Sequence, residues 1–186
     1  MNLKKILFIL STLKLVQCQN FSEPLNVNAY LGKWYQVYSD NFVANSFEKD
    51  ASCVQATYGI YAPNNISVYN QQVNKDGTKQ SISGYAFISD NEYPRKLTVN
   101  LNGGSGNAPY WIYDLGPIEE EKYQYAIVSD QFKVGLFVLT RNVDKFYQKY
   151  NENVLQQLKD LGFDKNRNKP ITTNQKNCFN YFFYNK

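Results

Sequence analysis

Few residues in this chain could carry out covalent or acid–base chemistry. The sequence has three cysteines, Cys18, Cys53 and Cys178, and no histidine. The lack of histidine excludes Ser-His-Asp and Cys-His catalytic groups, as well as imidazole ligands for haem or zinc. We therefore expect no catalytic residue, no metal site and no cofactor.

The role of the cysteines depends on where the chain is sent. Met1–Cys18 is typical of a secretory signal peptide, with two lysines ahead of a short apolar run. A lipid-anchored Cys18 is the alternative. Cleavage would leave Cys53 and Cys178 in an oxidising compartment, where a pair is most simply a disulfide and otherwise a free reactive thiol. We expect a secreted, extracellular protein whose domain spans residues 19–186.

The charge balance gives little guide to a partner. Removal of the predicted signal peptide takes away three lysines and no acidic residue, so the formal net charge falls from +4 to +1. This value gives no case for a nucleic acid partner. Two Asn-x-Ser sequons, at Asn20 and Asn65, would accept glycans on the secretory route.

Alternating apolar and polar residues between Trp34 and Arg141 predict a series of short strands. The eight predicted strands are 33–39, 53–61, 66–73, 80–88, 96–101, 110–115, 123–129 and 135–141. Short connections between them indicate an antiparallel meander. An all-β, eight-stranded up-and-down barrel is the expected fold, because closure removes the exposed sheet edges.

After Arg141 the apolar spacing becomes that of a helix. One stripe is formed by Tyr147, Tyr150, Val154, Leu158 and Leu161, and Gly162 is a plausible end signal. The pattern predicts one C-terminal α-helix packed on the outside of the barrel.

The segment Asn-Ala-Tyr-Leu-Gly-Lys-Trp-Tyr at residues 28–35 resembles the lipocalin signature, in which Gly-x-Trp opens the first strand. Together with Gly32 and Trp34, Arg141 at the end of the eighth strand makes the resemblance specific, and it is strongest to the apolipoprotein D branch. The resemblance implies a barrel closed at one end, where the Arg141 guanidinium covers the Trp34 indole by a cation–π contact. The segment Ser129–Phe132 departs from the family pattern, so we expect the last hairpin to differ locally.

A barrel of this size can hold one small ligand. Alternation predicts that the inward-facing residues include Tyr58, Asn70, Trp111, Tyr113, Val54, Ile60, Ile66, Val68, Leu97 and Val99. The resemblance independently implies Tyr58, Asn70 and Trp111 as pocket positions. Apolar walls with a few hydrogen-bonding groups suit a lipophilic molecule that has one polar end. The alternative is that these side chains fill a solid barrel.

Three functional hypotheses remain. The favoured one is a secreted, monomeric carrier that binds a fatty acid, sterol, retinoid or similar lipid without reaction. The second is a lipocalin-fold isomerase or de-epoxidase acting on a bound lipid. The third is an interaction protein that makes weak membrane or protein contacts through its open end or through the aromatic tail at residues 179–184. The loop at residues 40–52, with Phe42 and Phe47, is a candidate lid for the open end.

Overall fold

The structure is a computed structural model that describes residues 20–62, 65–104 and 106–178. The predicted signal peptide and the aromatic tail at residues 179–184 lie outside the described residues. Both remain predictions.

Eight antiparallel strands form a closed barrel, as the sequence predicts. In chain order the strands are β1 Gly32–Ser39, β2 Ser52–Ala62, β3 Asn65–Val73, β4 Lys79–Ile88, β5 Lys96–Leu101, β6 Asn107–Leu115, the short pair β7 Ile118–Glu119 and β8 Lys122–Tyr123, β9 Tyr125–Ser129, β10 Phe137–Thr140 and β11 Ile171–Thr172. Strands β1–β6, β9 and β10 pair in sequence, and the Tyr35–Thr140 register closes β10 onto β1. Strand β11 pairs with the far end of β1.

Inward-facing side chains form the first of two apolar clusters. Its buried members are Ala29, Tyr30, Trp34, Ala56, Tyr58, Ile66, Val68, Ala86, Leu97, Ile112, Tyr123, Ala126, Val128 and Leu139. Directly opposed residues share a face of a sheet, so the pairing of Trp34 with Ala56 marks the inner face. Strands β4 and β5 approach so closely that a Cβ at Gly84 would lie 2.0 Å from the Asn100 carbonyl oxygen, which explains the glycine.

The C-terminal helix packs on the outside of the barrel, as predicted. The helical segments of the chain are α1 Val27–Tyr30, α2 Asn41–Asn45, α3 Val143–Lys145, a π-helical turn Phe146–Tyr150 and α4 Asn151–Asp160. One expected core position is wrong: Tyr147 is 39% exposed, whereas Phe146 is fully buried. The π-helical turn shifts the buried stripe because it places more residues in one turn than an α-helix does.

A disulfide joins the C-terminal segment to the barrel. Cys53 and Cys178 are bonded, 125 residues apart in the chain, which confirms the predicted pair. The Cys53 N–H also donates to the Asn174 carbonyl oxygen at 2.8 Å, so β2 is held to this segment by two adjacent links. Within the described ranges, none of the helices combines the length and the hydropathy that a bilayer crossing requires.

Candidate ligand-binding site

Arg141 seals one end of the barrel. Its guanidinium carbon lies 3.6 Å from the Trp34 ring centroid. Its Nη1 donates to the Lys33 carbonyl oxygen at 2.6 Å, and its Nη2 lies 3.0 Å from each of the carbonyl oxygens of Ala29, Tyr30 and Leu31. Burial lowers the pKa of Arg141 to about 10, so the side chain stays charged at neutral pH. This end of the barrel is a fixed floor.

Three tyrosines meet at this floor, where the Tyr30 ring contacts Trp34. The Tyr110 hydroxyl is 2.7 Å from the Tyr30 hydroxyl and 2.9 Å from the Tyr58 hydroxyl. The rings of Tyr30 and Tyr58 are stacked, with centroids 5.5 Å apart. Burial raises the pKa of Tyr58 to about 12, so its phenol is protonated at neutral pH. Three hydroxyl hydrogens serve two hydrogen bonds within the group, so one hydrogen is not used within it.

Above the tyrosines the inner wall is mainly apolar, with one polar interruption. Val68 and Leu97 are buried, and Val99 packs against the same cluster. Asn70 lies opposite Ala56 on this inner face. Its Oδ1 is buried and has no hydrogen-bond partner among the described residues.

A second polar group lies toward the open end. Gln36 is 1% exposed and lies opposite Leu139, which belongs to the inner cluster. Its Nε2 donates to Glu48 Oε2 at 2.6 Å and to Thr173 Oγ1 at 3.0 Å. Burial raises the pKa of the Glu48 carboxyl to about 7. The mouth of the barrel therefore contains a carboxyl that changes charge near neutral pH.

Phenylalanines surround this mouth. The Phe47 ring stacks on Phe137, with centroids 6.3 Å apart, and meets Phe42 edge-on at 6.0 Å. Phe42 and Phe47 are 50% and 55% exposed, and Phe132 on the neighbouring β9–β10 loop is 69% exposed. A shallow depression of about 520 Å³ lies beside them and is lined by Asn41, Phe42, Asn45, Ser46, Val134 and Arg167. The candidate lid loop lies at the open end, and closure of that loop stays a prediction.

Two predicted inward positions are wrong. Trp111 and Tyr113 pack with the outer cluster under the C-terminal helix, and Tyr110 and Ile112 face the interior instead. Phe21 fixes the outer position: its ring centroid lies 5.2 Å from that of Trp111 and 5.1 Å from that of Tyr113. Residues 110–113 are three aromatic residues and an isoleucine, so the contrast between polar and apolar residues that normally distinguishes the two faces is absent in this part of β6.

Ile60 is a third correction. Its side chain is 73% exposed, although its partner Ile66 is buried. The strand register shifts between Ile60 and Ala62, where β2 extends past the sealed end of the barrel. Alternation identifies a face of the sheet, but it does not show where along a strand the barrel interior ends.

The other predicted pocket residues converge on one wall. Tyr58, Asn70, Ile66, Val68, Leu97 and Val99 face the interior, and Val54 is buried near the mouth. Sequence reasoning missed Tyr30, Tyr110, Gln36 and Glu48. Two-residue spacing from Trp34 would have identified Gln36, whereas Glu48 lies in a loop without periodicity. Among residues 20–62, 65–104 and 106–178, no group of three or more Cys, Asp or Glu could hold a metal ion.

Comparison with known proteins agrees with this geometry. A family described as lipocalin-like domain matches residues 25–172. The chain belongs to the lipocalin family. Apolipoprotein D from Bos taurus is 39% identical to this lipocalin over 90 residues, which are 48% of the chain and 46% of the relative. The chain thus spans about half the length of the curated apolipoprotein D relatives it matches. The predicted apolipoprotein D-like branch is confirmed.

More distant relatives cover more of the chain. Outer membrane lipoprotein Blc from Vibrio cholerae is 28% identical to this lipocalin over 179 residues, 89% of the chain and 96% of the relative. The solved structure of apocrustacyanin C2 aligns with a TM-score of 0.59 at 20% identity, covering 85% of this chain and 84% of that one. Japanin from Rhipicephalus appendiculatus, solved bound to cholesterol, aligns with a TM-score of 0.55 at 13% identity, covering 83% and 99%. These structures share the fold.

Proposed function

We propose that this lipocalin binds a small hydrophobic ligand non-covalently inside the barrel and carries it outside the cell. The ligand class is a fatty acid, sterol, retinoid or similar lipid. The observation that carries the proposal is the buried, unpartnered Oδ1 of Asn70 on an otherwise apolar inner wall. An unsatisfied buried acceptor costs about 1–3 kcal/mol, and a donor on a bound ligand would remove that cost.

The remainder of the wall supports the same ligand class. Val68, Leu97 and Val99 offer apolar surface, and burial of ligand surface contributes about 25 cal/mol per Å². The tyrosine group near the floor adds a hydrogen-bond donor at the sealed end. Japanin, which was solved with cholesterol, shows that this fold accommodates a sterol in at least one of its members.

We infer that the protein carries its ligand without transforming it. Burial raises the pKa of Tyr58 to about 12, which makes its phenol a weak acid at neutral pH. Both described cysteines form the disulfide, so neither thiol serves as a nucleophile. These features favour binding over an isomerase or de-epoxidase reaction.

The proposal includes secretion and a monomeric state. The Cys53–Cys178 disulfide fits an oxidising compartment. The sequon residue Asn20 is exposed and Asn65 is half-buried at the start of β3, so glycans at these positions are part of the same proposal.

A substitution that fills the interior tests the proposal. Val99 faces the interior and its neighbour Thr98 faces outward, so Val99→Trp and Thr98→Trp form a matched pair on β5. We expect Val99→Trp to reduce binding of a fluorescent fatty acid or sterol probe at least tenfold, because the indole occupies ligand space. Thr98→Trp should bind like the wild type. Circular dichroism checks that both variants are folded.

Two results would overturn the proposal. One is a wild-type protein that binds neither probe and that releases no lipid on organic extraction. The other is equal loss of binding in the two folded tryptophan variants, which would place the ligand outside the barrel.

A further inference from the structure

Glu48 brings a carboxyl to the mouth of the barrel, and binding of a neutral lipid gives this carboxyl no role. Its partner Gln36 faces the interior and is fully buried, so the carboxyl is held at the level where a ligand would enter. The preceding residue, Phe47, stacks on Phe137 and also accepts a hydrogen bond from Gln72 Nε2 at 3.2 Å through its carbonyl oxygen. The loop that carries Glu48 is thus fastened to the barrel on two sides.

Among the residues that the structure describes, the carboxyl has a neutral partner and no cation. Gln36 Nε2 uses one hydrogen for Glu48 and the other for Thr173. Within the described part of the chain, Glu48 forms no ion pair, and its Oε1 has no hydrogen-bond partner. The charged group that acts on it is Asp40, the N-cap residue of α2, which is also acidic. A carboxylate in such surroundings is stabilised by a positively charged donor.

A second acceptor, without a donor in the described ranges of the chain, lies on the inner face of the barrel wall. Asn70 lies on the inner face of β3, two residues before Gln72. The Gln72 side chain donates to the carbonyl oxygen of Phe47 in the loop that carries Glu48. Two residues along a strand span about 7 Å of backbone, so Asn70 lies that far along β3 from the residue that contacts the Glu48 loop. The buried Asn70 Oδ1 and the Glu48 carboxylate both require donors, and an ammonium group supplies three N–H donors and no acceptor.

From this arrangement we infer that the mouth of the barrel is a subsite for the protonated amine of a cationic amphiphile, with Glu48 as its counter-ion and the alkyl chain on the inner apolar wall. This inference rests on the proposed function, since it names the head group of the ligand in the same cavity. Within the proposed ligand class, it also predicts that at a pH where Glu48 is ionised a carboxylate head group binds more weakly than a neutral head group on the same chain, because Glu48 would repel it.

Three ligands that share a dodecyl chain and differ in the head group test the inference: dodecylamine, dodecanol and dodecanoate. Calorimetric titration of the purified protein at pH 8, where Glu48 is ionised, should show dodecylamine binding about tenfold more tightly than dodecanol, because a hydrogen bond to a charged group contributes roughly that factor. Dodecanoate should bind more weakly than dodecanol. In Glu48→Gln the amine-to-alcohol ratio should fall to about one, whereas the exposed helix variant Glu152→Gln should keep the wild-type ratio.

The alcohol separates failure of this inference from failure of the proposed function. If dodecanol binds and the amine has no advantage in the wild type, the amine subsite is wrong and the lipid carrier stands. If Glu48→Gln keeps the tenfold ratio, Glu48 is not the counter-ion and the inference falls. If none of the three ligands binds, both the inference and the proposed function are overturned.

Discussion

The guanidinium of Arg141 covers the indole of Trp34 at 3.6 Å, and the same side chain links the segment before β1 to the end of β10. Residues more than 100 positions apart therefore meet at the sealed end of the barrel. Gly32, with φ of +104°, lies beside the guanidinium, and a Cβ at this position would lie 3.4 Å from Arg141 Nη1. The seal thus requires both the long cation and a small residue with a positive φ.

Replacement of this arginine tests the structural role of the seal. We expect Arg141→Ala to lower the free energy of unfolding by about 3 kcal/mol or more, because the substitution removes a cation–π contact and leaves several carbonyl groups without their donor. The inner wall is unchanged by the substitution, so the folded fraction should still bind the lipid probe. Urea denaturation measures the loss, and Arg167→Ala at the exposed rim is the control. Equal stability of Arg141→Ala and wild type would contradict the role of the seal.

The barrel could be predicted from sequence because its strands alternate clearly and its turns are short. The inner face of β2 follows from Ala56 and Tyr58, and that of β5 follows from Leu97 and Val99. Strand β6 could not be assigned in this way, since its outer face is also covered: Tyr113 is buried and Trp111 is partly buried in the outer cluster. Glu48 at the mouth escaped prediction because it lies in a loop, which has no periodicity, whereas Gln36 follows from two-residue spacing along β1.

The corrected position of Trp111 leads to a prediction about binding. We expect Trp111→Phe to change lipid affinity less than twofold, because the indole contacts Phe21 and the ammonium of Lys96 outside the barrel. Asn70→Leu, at the inner face, is the comparison: it removes the buried acceptor and should weaken binding of a hydroxyl-bearing lipid about fivefold to tenfold. Direct titration with dodecanol distinguishes the two variants. A large loss of lipid affinity in Trp111→Phe, with none in Asn70→Leu, would show that Trp111 contacts the ligand.

The disulfide provides a prediction about stability. Cys53 and Cys178 close a loop of 125 residues, and the chain-entropy model gives about 4–5 kcal/mol as an upper value for a loop of this length. We expect the double variant Cys53→Ser, Cys178→Ser to lose several kcal/mol of unfolding free energy in urea. Reduction of the wild type with a thiol should produce the same loss and should not affect the double variant. An unchanged urea midpoint in both experiments would show that the link contributes nothing to stability.

Glu48 makes the stability of the protein depend on pH, with a sign that can be worked out. Burial raises the pKa of Glu48 from 4.5 to about 7 in the folded protein. Between these two values the folded state holds a proton that the unfolded state has released, so the free energy of unfolding falls as the pH rises. The loss attributable to this carboxyl is complete above the folded pKa and reaches at most about 3 kcal/mol, since one pKa unit corresponds to about 1.4 kcal/mol.

The variant Glu48→Gln isolates this contribution, because it keeps the side-chain shape and removes the titration. We expect the variant and the wild type to have similar unfolding free energies at pH 5, and the variant to be more stable by up to about 3 kcal/mol at pH 8. Urea denaturation at both pH values measures the difference. Burial also raises the pKa of Asp40 and of Asp114, so these groups contribute to the pH dependence of both proteins. The contribution of Glu48 is therefore measured by the difference in unfolding free energy between variant and wild type. If the unfolding free energies of the two proteins change in parallel from pH 5 to pH 8, Glu48 titrates like an exposed carboxyl. That result would contradict the burial of Glu48 at the mouth of the barrel.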